Sequence, residues 1–531
     1  MLDIVVAGGQ VIDGTGNPWF RADLGISGGR IERVGQIAPA EAARILDARG
    51  LAVSPGFIDM HTHSDIALLV EPGAEVKIRQ GVTTEVLGAD GVSVAPVTPD
   101  TRDMWRGRLG GLIGHPTKAW SWLTFDEYLG SLERARTAVN VAGFVGHGTV
   151  RMAVMGLDSR PPSADELQRM RWLIRQAIEE GAFGLSDALI YAPAYYSSTS
   201  DIISLASAAA ESGGIYMTHI RSESDDLVEA LQEALEIGAK ANLPVHISHH
   251  KAAGPQNWGK VQTTLGLMDE ARARGVDITC DAYPYLAAAF GLDLFLPQWA
   301  FEHGTDPLVR NLREPQFRQR LAADMARHIP GKENLCRWGN WDGVLVAGVV
   351  TDANRKCEGK SIAQIAQERG TDGVSAVFDL LADEKLAVAV TAFWGREEDV
   401  NAVLRHRTTM ICSDGVFGGH PHPRLYGTFP RVLGPLVRDV RLFSMEEAVR
   451  KMTSLPAQRL GLRDRGLIRP GMWADLVVFD PVTVTDRSTY ADPRQYPIGV
   501  EHVLVNGEIV VHQGVPTGAR PGKALRHGMP S

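Results

Sequence analysis

The sequence predicts an α/β fold: a parallel (β/α)₈ or TIM barrel carrying a small β-sandwich built from its two ends. Three observations point there. Eight short apolar runs alternate with helical patterns through the middle of the 531 residues, both ends read as short strands broken by glycine turns, and ionisable residues recur where the apolar runs stop.

The elements follow in chain order. Residues 1–54 read as DIVVAGGQVID, LGISGGRIERVGQI and ARILDARGLAV, with Gly-Gly at 8–9 and 28–29 supplying the positive φ of tight hairpins. The same texture returns in WADLVVFDP (473–481) and VEHVLVNGEIVVHQG (500–514), where Asn506-Gly507 is the strongest short hairpin signal in the chain. Neither end is large enough to bury a core alone, so 1–54 and 466–531 are paired as one sandwich beside a barrel over 55–465.

Barrel strands are expected at 54–63, 81–90, 140–147, 181–188, 214–220, 243–250, 276–285 and 408–415. The helix before the fourth is the clearest. Pro161-Pro162 stop the chain, Ser163 and Glu166 form a capping box, and Leu167, Met170, Leu173, Ile174 and Ala177 make an apolar stripe. Residues 286–407 are too long for one connection and hold apolar segments of their own at 343–350 and 385–394. They read as an insertion between the seventh and eighth strands, either a cover over the site or a packing elaboration. An open doubly wound sheet is the rival architecture.

Composition excludes several classes of function. The 54 Lys+Arg against 63 Asp+Glu leave a formal charge of −9, with no basic run to follow a phosphate backbone, so a nucleic-acid partner is not expected. With 44% hydrophobic residues the chain is too apolar for disorder. Cys280, Cys336, Cys357 and Cys412 are scattered, without a C-x-x-C pair. The start lacks a signal peptide's basic and apolar regions, and no apolar stretch of about 18 residues occurs. The expectation is a cytoplasmic protein with no membrane or nucleic-acid partner, acting on a small molecule.

Polar residues at the strand ends carry the chemistry. The first strand ends in Asp59-Met60-His61-Thr62-His63, so two imidazoles two residues apart project from one face of an extended strand. Two neutral ring nitrogens on one face make half a zinc site. Two further strands end at His219 (IYMTHIRSE) and His249 (VHISHHK), and the last ends at Asp414 (MICSDG). Five candidate ligands from four strand ends thus converge on one barrel mouth.

The segments GFIDMHTHSD, YMTHIRSE, ISHHKAAG with NWG at 257–259, DAYPY, CSDG, HPRLYGTFPRVLG (422–434) and the tail MTSLPAQRLGL with RGLIRPGMWADLVVFD resemble the amidohydrolase superfamily. Within it they are similar to the N-acyl-D-amino-acid deacylase (D-aminoacylase) family, in order and over nearly the whole chain. The resemblance implies hydrolysis of the amide of an N-acyl-D-amino acid, with one or two divalent metal ions, zinc in the first place. One departure stands out. Where the family's second strand usually ends in Asn-Cys-Gly, this chain reads VLGADGVSVAP, with Asp90 in the cysteine's place. Either Asp90 replaces the thiolate and holds a metal with His219 and His249, or it only caps the turn that Gly91 completes.

The resemblance further implies that His61, His63 and Asp414 form the second metal position. Asp414 doubles as general base and acid, taking the proton of the attacking water and delivering it to the leaving nitrogen. Lys251, Tyr283 and Arg424 match the residues that hold the substrate carboxylate, and the planar fork of Arg424 suits bidentate pairing. Weaker candidates are Tyr191 as a wall of the acyl pocket and His147 as a pocket residue or a structural histidine. Arg221 and Glu223 read as an ion pair behind the ligands, His250 points away from His249, and Cys412 belongs to the barrel core. Two alternatives remain: a hydantoinase- or dihydroorotase-like hydrolase of a cyclic amide, and a non-catalytic binding protein on a hydrolase scaffold.

Overall fold

The structure is a computed structural model that describes residues 1–105 and 120–529. Eight short strands line the barrel: β1 (Phe57–Asp59), β2 (Val82–Leu87), β3 (Asn140–Gly143, continued by Val145–Gly146), β4 (Gly184–Ala188), β5 (Ile215–His219), β6 (Val245–Ile247), β7 (Ile278–Ala282) and β8 (Thr409–Ile411). Every neighbouring pair runs parallel, and a parallel bridge between Thr62 and Gly415 joins β8 to β1. The ring is therefore closed, and the open-sheet rival is excluded.

Each strand is buried on both faces, as a parallel sheet wrapped by helices requires. The helix Ala164–Glu179 starts on the expected box: Ser163 Oγ accepts from Glu166 N at 3.3 Å, and Glu166 Oε2 accepts from Ser163 N at 2.8 Å. Its stripe meets the barrel through Met170, Ile174 and Ala177 at full burial, with Leu167 and Leu173 partly buried beside them.

The two ends of the chain meet in one nine-stranded sheet. Ala52–Pro55 pairs antiparallel with Leu476–Phe479, and Ile4, Val6, Leu24, Ile26, Leu476, Val478 and Leu504 gather into one apolar cluster. Gly28 and Gly29 do turn a hairpin at positive φ, as does Asn506-Gly507. Gly8-Gly9 does not. It lies inside the strand Leu2–Val11, where Gly8 at φ 74° makes a bulge in the ladder with Phe20–Ser27.

The 286–407 segment folds as a three-stranded antiparallel sheet of Ala287–Gly291, Val344–Gly348 and Ala389–Phe393, the last in the middle, with helices around it. Its residues form much of one wall of a cavity of about 470 Å³ above the C-terminal ends of the strands. Among the described residues no helix is long and apolar enough to cross a membrane.

Candidate active site at the barrel mouth

The barrel mouth is built by strand ends that leave the β conformation abruptly. Asp90 (φ 53°), His249 (φ 34°) and Asp414 (φ 47°) all take left-handed backbone, which non-glycine residues rarely adopt and which costs of order 1–3 kcal/mol each. Hydrogen bonds from neighbouring strands hold these turns. His249 N donates to Asp281 Oδ1 at 2.5 Å, while Asp281 Oδ2 lies 2.8 Å from His246 Nε2. Asp414 N donates to the His61 carbonyl at 2.9 Å, and Ser413 N to Asp59 Oδ1 at 2.8 Å. Behind Asp90, Gly88 (φ 69°) packs so closely on β3 that an added Cβ would lie 2.2 Å from the Phe144 carbonyl oxygen. No side chain fits there, so the glycine lets the turn sink into the mouth.

These turns bring His61, His63, Asp90, His219, His249 and Asp414 together, in two overlapping groups that share Asp90. Asp90 Oδ2 is 3.3 Å from His61 Nε2 and 3.6 Å from His63 Nε2; Asp414 Oδ1 is 3.7 and 3.2 Å from the same nitrogens. On the other side Asp90 Oδ1 is 3.5 Å from His249 Nε2 and 3.9 Å from His219 Nδ1, and these two nitrogens are 3.0 Å apart. Both ring nitrogens of His61 and Oδ1 of Asp90 are buried without a hydrogen-bond partner. Buried polar atoms are nearly always paired, so His61 Nε2 and Asp90 Oδ1, orphaned among imidazoles and carboxylates, fit a divalent cation.

The electrostatics agree. Burial works against a charged imidazole at His63, yet Asp414 and Asp90 push its pKa up to about 9. Burial and Lys251 oppose charge on His249, but Glu223 and Asp90 raise it to about 10. His219, where burial wins, falls to about 4. The Asp90 and Asp414 carboxyls are held well below the usual range despite burial, Asp90 by His61 and His249, Asp414 by Arg424 and His61. The cluster draws in positive charge, and protons fill that demand when nothing else does.

The residues around the cluster divide into two braces. Below β1 and β8, the buried Lys77 Nζ bonds Asp59 Oδ2 and Ser413 Oγ, both at 2.8 Å, and lies 3.4 Å from Glu85 Oε2. Burial would strip its proton, but the two carboxylates hold the ammonium charged. Beside β5 and β6, Glu223 Oε1 accepts from Lys251 Nζ at 2.5 Å and lies 2.9 Å from His249 Nδ1, while its Oε2 is 3.6 Å from His219 Nε2. Glu333, from the long insertion, accepts from Glu223 N at 2.7 Å and fixes that loop.

This corrects the ion pair expected between Arg221 and Glu223. Arg221 pairs with Glu233 instead, at 2.8 Å, because the chain bends at 221 and 223 after β5, so the two side chains do not share a face and Glu223 turns to the histidines. The i,i+4 spacing from His219 to Glu223 was the available signal for Glu223.

Arg424 is buried with NH1 2.7 Å from Asp414 Oδ2, and its guanidinium stacks 4.5 Å from the Tyr283 ring centre. Tyr283 lines the cavity, and its buried hydroxyl has no hydrogen-bond partner. Lys251 and Tyr191 line it as well. His147 is absent from the wall: buried, it sits 2.9 Å from Asp187 Oδ1 and 3.2 Å from Ser197 Oγ, which is the structural-histidine alternative. His250 turns away to Thr264, and Cys412 is fully buried.

A family model described as the amidohydrolase family matches residues 44–511. The chain is 37% identical to an N-acyl-D-glutamate deacylase of Alcaligenes xylosoxydans xylosoxydans over 99% of its length and 96% of that protein's. It is 38% identical to a D-aminoacylase of the same organism, covering 98% and 97%. A crystal structure of N-acyl-D-glutamate deacylase from Bordetella bronchiseptica, complexed with zinc and a phosphonate mimic of the tetrahedral intermediate, superposes with a TM-score of 0.84 at 34% identity, covering 99% of both chains. With its closed barrel, its histidine and aspartate cluster and these likenesses, the chain belongs to the amidohydrolase family, in the group of the D-aminoacylases.

Proposed function

We propose that this protein hydrolyses the amide bond of N-acyl-D-amino acids, releasing a carboxylate and the free D-amino acid, with zinc as its cofactor. The observation that carries the reading is Asp90, whose two oxygens face two separate histidine pairs, 3.3 Å from His61 and 3.5 Å from His249. His61, His63, Asp90 and Asp414 would hold one cation, and Asp90, His219 and His249 another. Asp90 would offer one oxygen to each position, in the place of the family's cysteine. A divalent cation there supplies Lewis acidity, which polarises the scissile carbonyl and makes water acidic near neutral pH.

The chain's own groups do the rest. Asp414, kept ionised by Arg424 beside it, accepts the proton of the attacking water and returns it to the amide nitrogen, so the amine leaves neutral. Arg424, Lys251 and the unpartnered Tyr283 hydroxyl hold the substrate's α-carboxylate, and Tyr191 borders the acyl group. Selectivity for amides that carry a carboxylate follows from those cations. The four free cysteines fit a reducing, cytoplasmic setting.

The test is a panel of N-acetyl-D- and N-acetyl-L-amino acids with hydantoins, incubated with zinc-loaded protein and assayed for free amino acid. Release from the D series supports the reading. Exclusive turnover of the cyclic amides overturns it.

A further inference from the structure

The loop after β5 carries Glu223, and that carboxylate holds the Lys251 ammonium. Glu223 Oε1 accepts from Lys251 Nζ at 2.5 Å, and Ala253 N donates to the Glu223 carbonyl at 2.7 Å, so the loop and the Lys251 segment are tied at two points. Nζ also lies 5.7 and 5.8 Å from the ring centres of Tyr283 and Trp394. A shift of Glu223 therefore carries the ammonium with it.

Glu223 is itself placed by the insertion. Residues 328–338 clasp residues 223–226 in succession: Glu333 accepts from Glu223 N at 2.7 Å and from Ser224 Oγ, Arg337 Nε meets Asp225 Oδ2 at 2.5 Å, and Gly331 N donates to Asp226 Oδ2 at 2.7 Å. The Arg337–Asp225 pair is partly exposed, and such pairs contribute little. Glu333 is 7% exposed, borders the cavity and accepts a third bond from Trp338 Nε1 at 3.0 Å. Its three partners all donate, and a carboxylate answers them with acceptors on both oxygens. An amide in its place would turn an NH2 group against one of them. Charge-assisted bonds in a buried setting hold such a loop more firmly than neutral ones.

We propose that Glu333 is a positioning residue for substrate recognition: by fixing the backbone at Glu223 it aims the Lys251 ammonium at the substrate's α-carboxylate, so the insertion sets the anion site from behind. This rests on the proposed deacylase reading, in which Lys251 binds that carboxylate, and adds the group that aims it.

The experiment compares N-acetyl-D-leucine with its methyl ester, which lacks the α-carboxylate charge, on zinc-saturated wild-type enzyme and on Glu333→Gln. The readout is kcat/KM for acetate release and, where turnover is too slow to follow, calorimetric binding. The expected result is a fall of about 10-fold for the acid, carried mainly by KM, and a change of less than about 2-fold for the ester. In a Lys251→Met background the same substitution is expected to add nothing for the acid. Equal losses for acid and ester, no loss for either, or full additivity with Lys251→Met overturn the inference while leaving the deacylase reading intact. Ser224→Ala removes one of the three donors and carries the same comparison if Glu333→Gln does not fold, with about 3-fold expected in place of 10-fold. Failure of the wild type to cleave either ligand overturns the deacylase reading, and binding then still decides the positioning: a loss that does not fall on the acid alone, or no binding of the acid, overturns it.

Discussion

The two sides of the metal-ligand cluster are braced in different ways. His61, His63 and Asp414 stand on a network inside the barrel, where Lys77, Asp59, Glu85 and Ser413 tie the start of the ring to its end. His219 and His249 are held from outside, by Glu223 on the loop after β5 and by Glu333 from the insertion that fixes this loop. The first side is braced by residues of the barrel itself, without the insertion. The second depends on the segment that also walls the cavity, so ligand geometry and substrate shape are joined there and separate on the other side.

Asp414→Asn breaks the inner side at its most consequential atom. It keeps the shape but removes the proton acceptor, and kcat toward N-acetyl-D-amino acids is expected to fall about 10²–10⁴-fold, measured by amino-acid release. Zinc bound through Asp90, His219 and His249 should persist, which elemental analysis checks. Arg424→Ala comes next, with an expected loss of about 10²–10³-fold in kcat/KM and unchanged zinc content, since the guanidinium both pairs with Asp414 and holds the substrate carboxylate. Equal rates before and after would remove that role.

Glu223→Gln acts on the outer side. Losing the carboxylate behind His249 and His219 is expected to weaken zinc binding or activity about 10–100-fold, as partners of metal-ligating histidines usually do. Titration of chelated protein with zinc and a competing indicator reads this directly. If the variant binds zinc normally, the outer brace is not what tunes the cluster.

The smallest effect is a proton count. Without metal, His63 and His249 titrate near about 9 and about 10, so both hold protons at pH 7. A cation requires neutral imidazoles, so its binding releases protons below those values, and affinity should rise about tenfold per pH unit for each proton released. The release fades as pH passes 9. Calorimetry of zinc binding in buffers of different ionisation heat measures it, and a net release of zero would contradict the charge pattern.

The inner side was legible in the sequence because two of its ligands, His61 and His63, lie two residues apart on one strand face and the third follows the last strand. Asp59, His61 and His63 alternate along an extended segment, and Asp414-Gly415 marks the end of the last strand. The outer side was legible only in its two histidines. Glu223 was read as a partner of Arg221, because spacing alone does not show which way a chain turns after leaving a strand. Lys77 and Glu333 carried no local signal: each meets its partner through a tertiary contact, Glu333 across 110 residues. The strands and the Ala164–Glu179 helix followed from periodicity and capping, whereas the Gly8-Gly9 bulge differs from a hairpin only in how far the strand continues, which two glycines do not encode.

The most direct measurement strips the protein of metal with a chelator and then adds zinc in steps while following cleavage of N-acetyl-D-leucine. The expected result is no turnover by the stripped protein and recovery with the first equivalents of zinc. Full turnover by thoroughly metal-free protein would contradict the role given to His61, His63, Asp90, His219, His249 and Asp414.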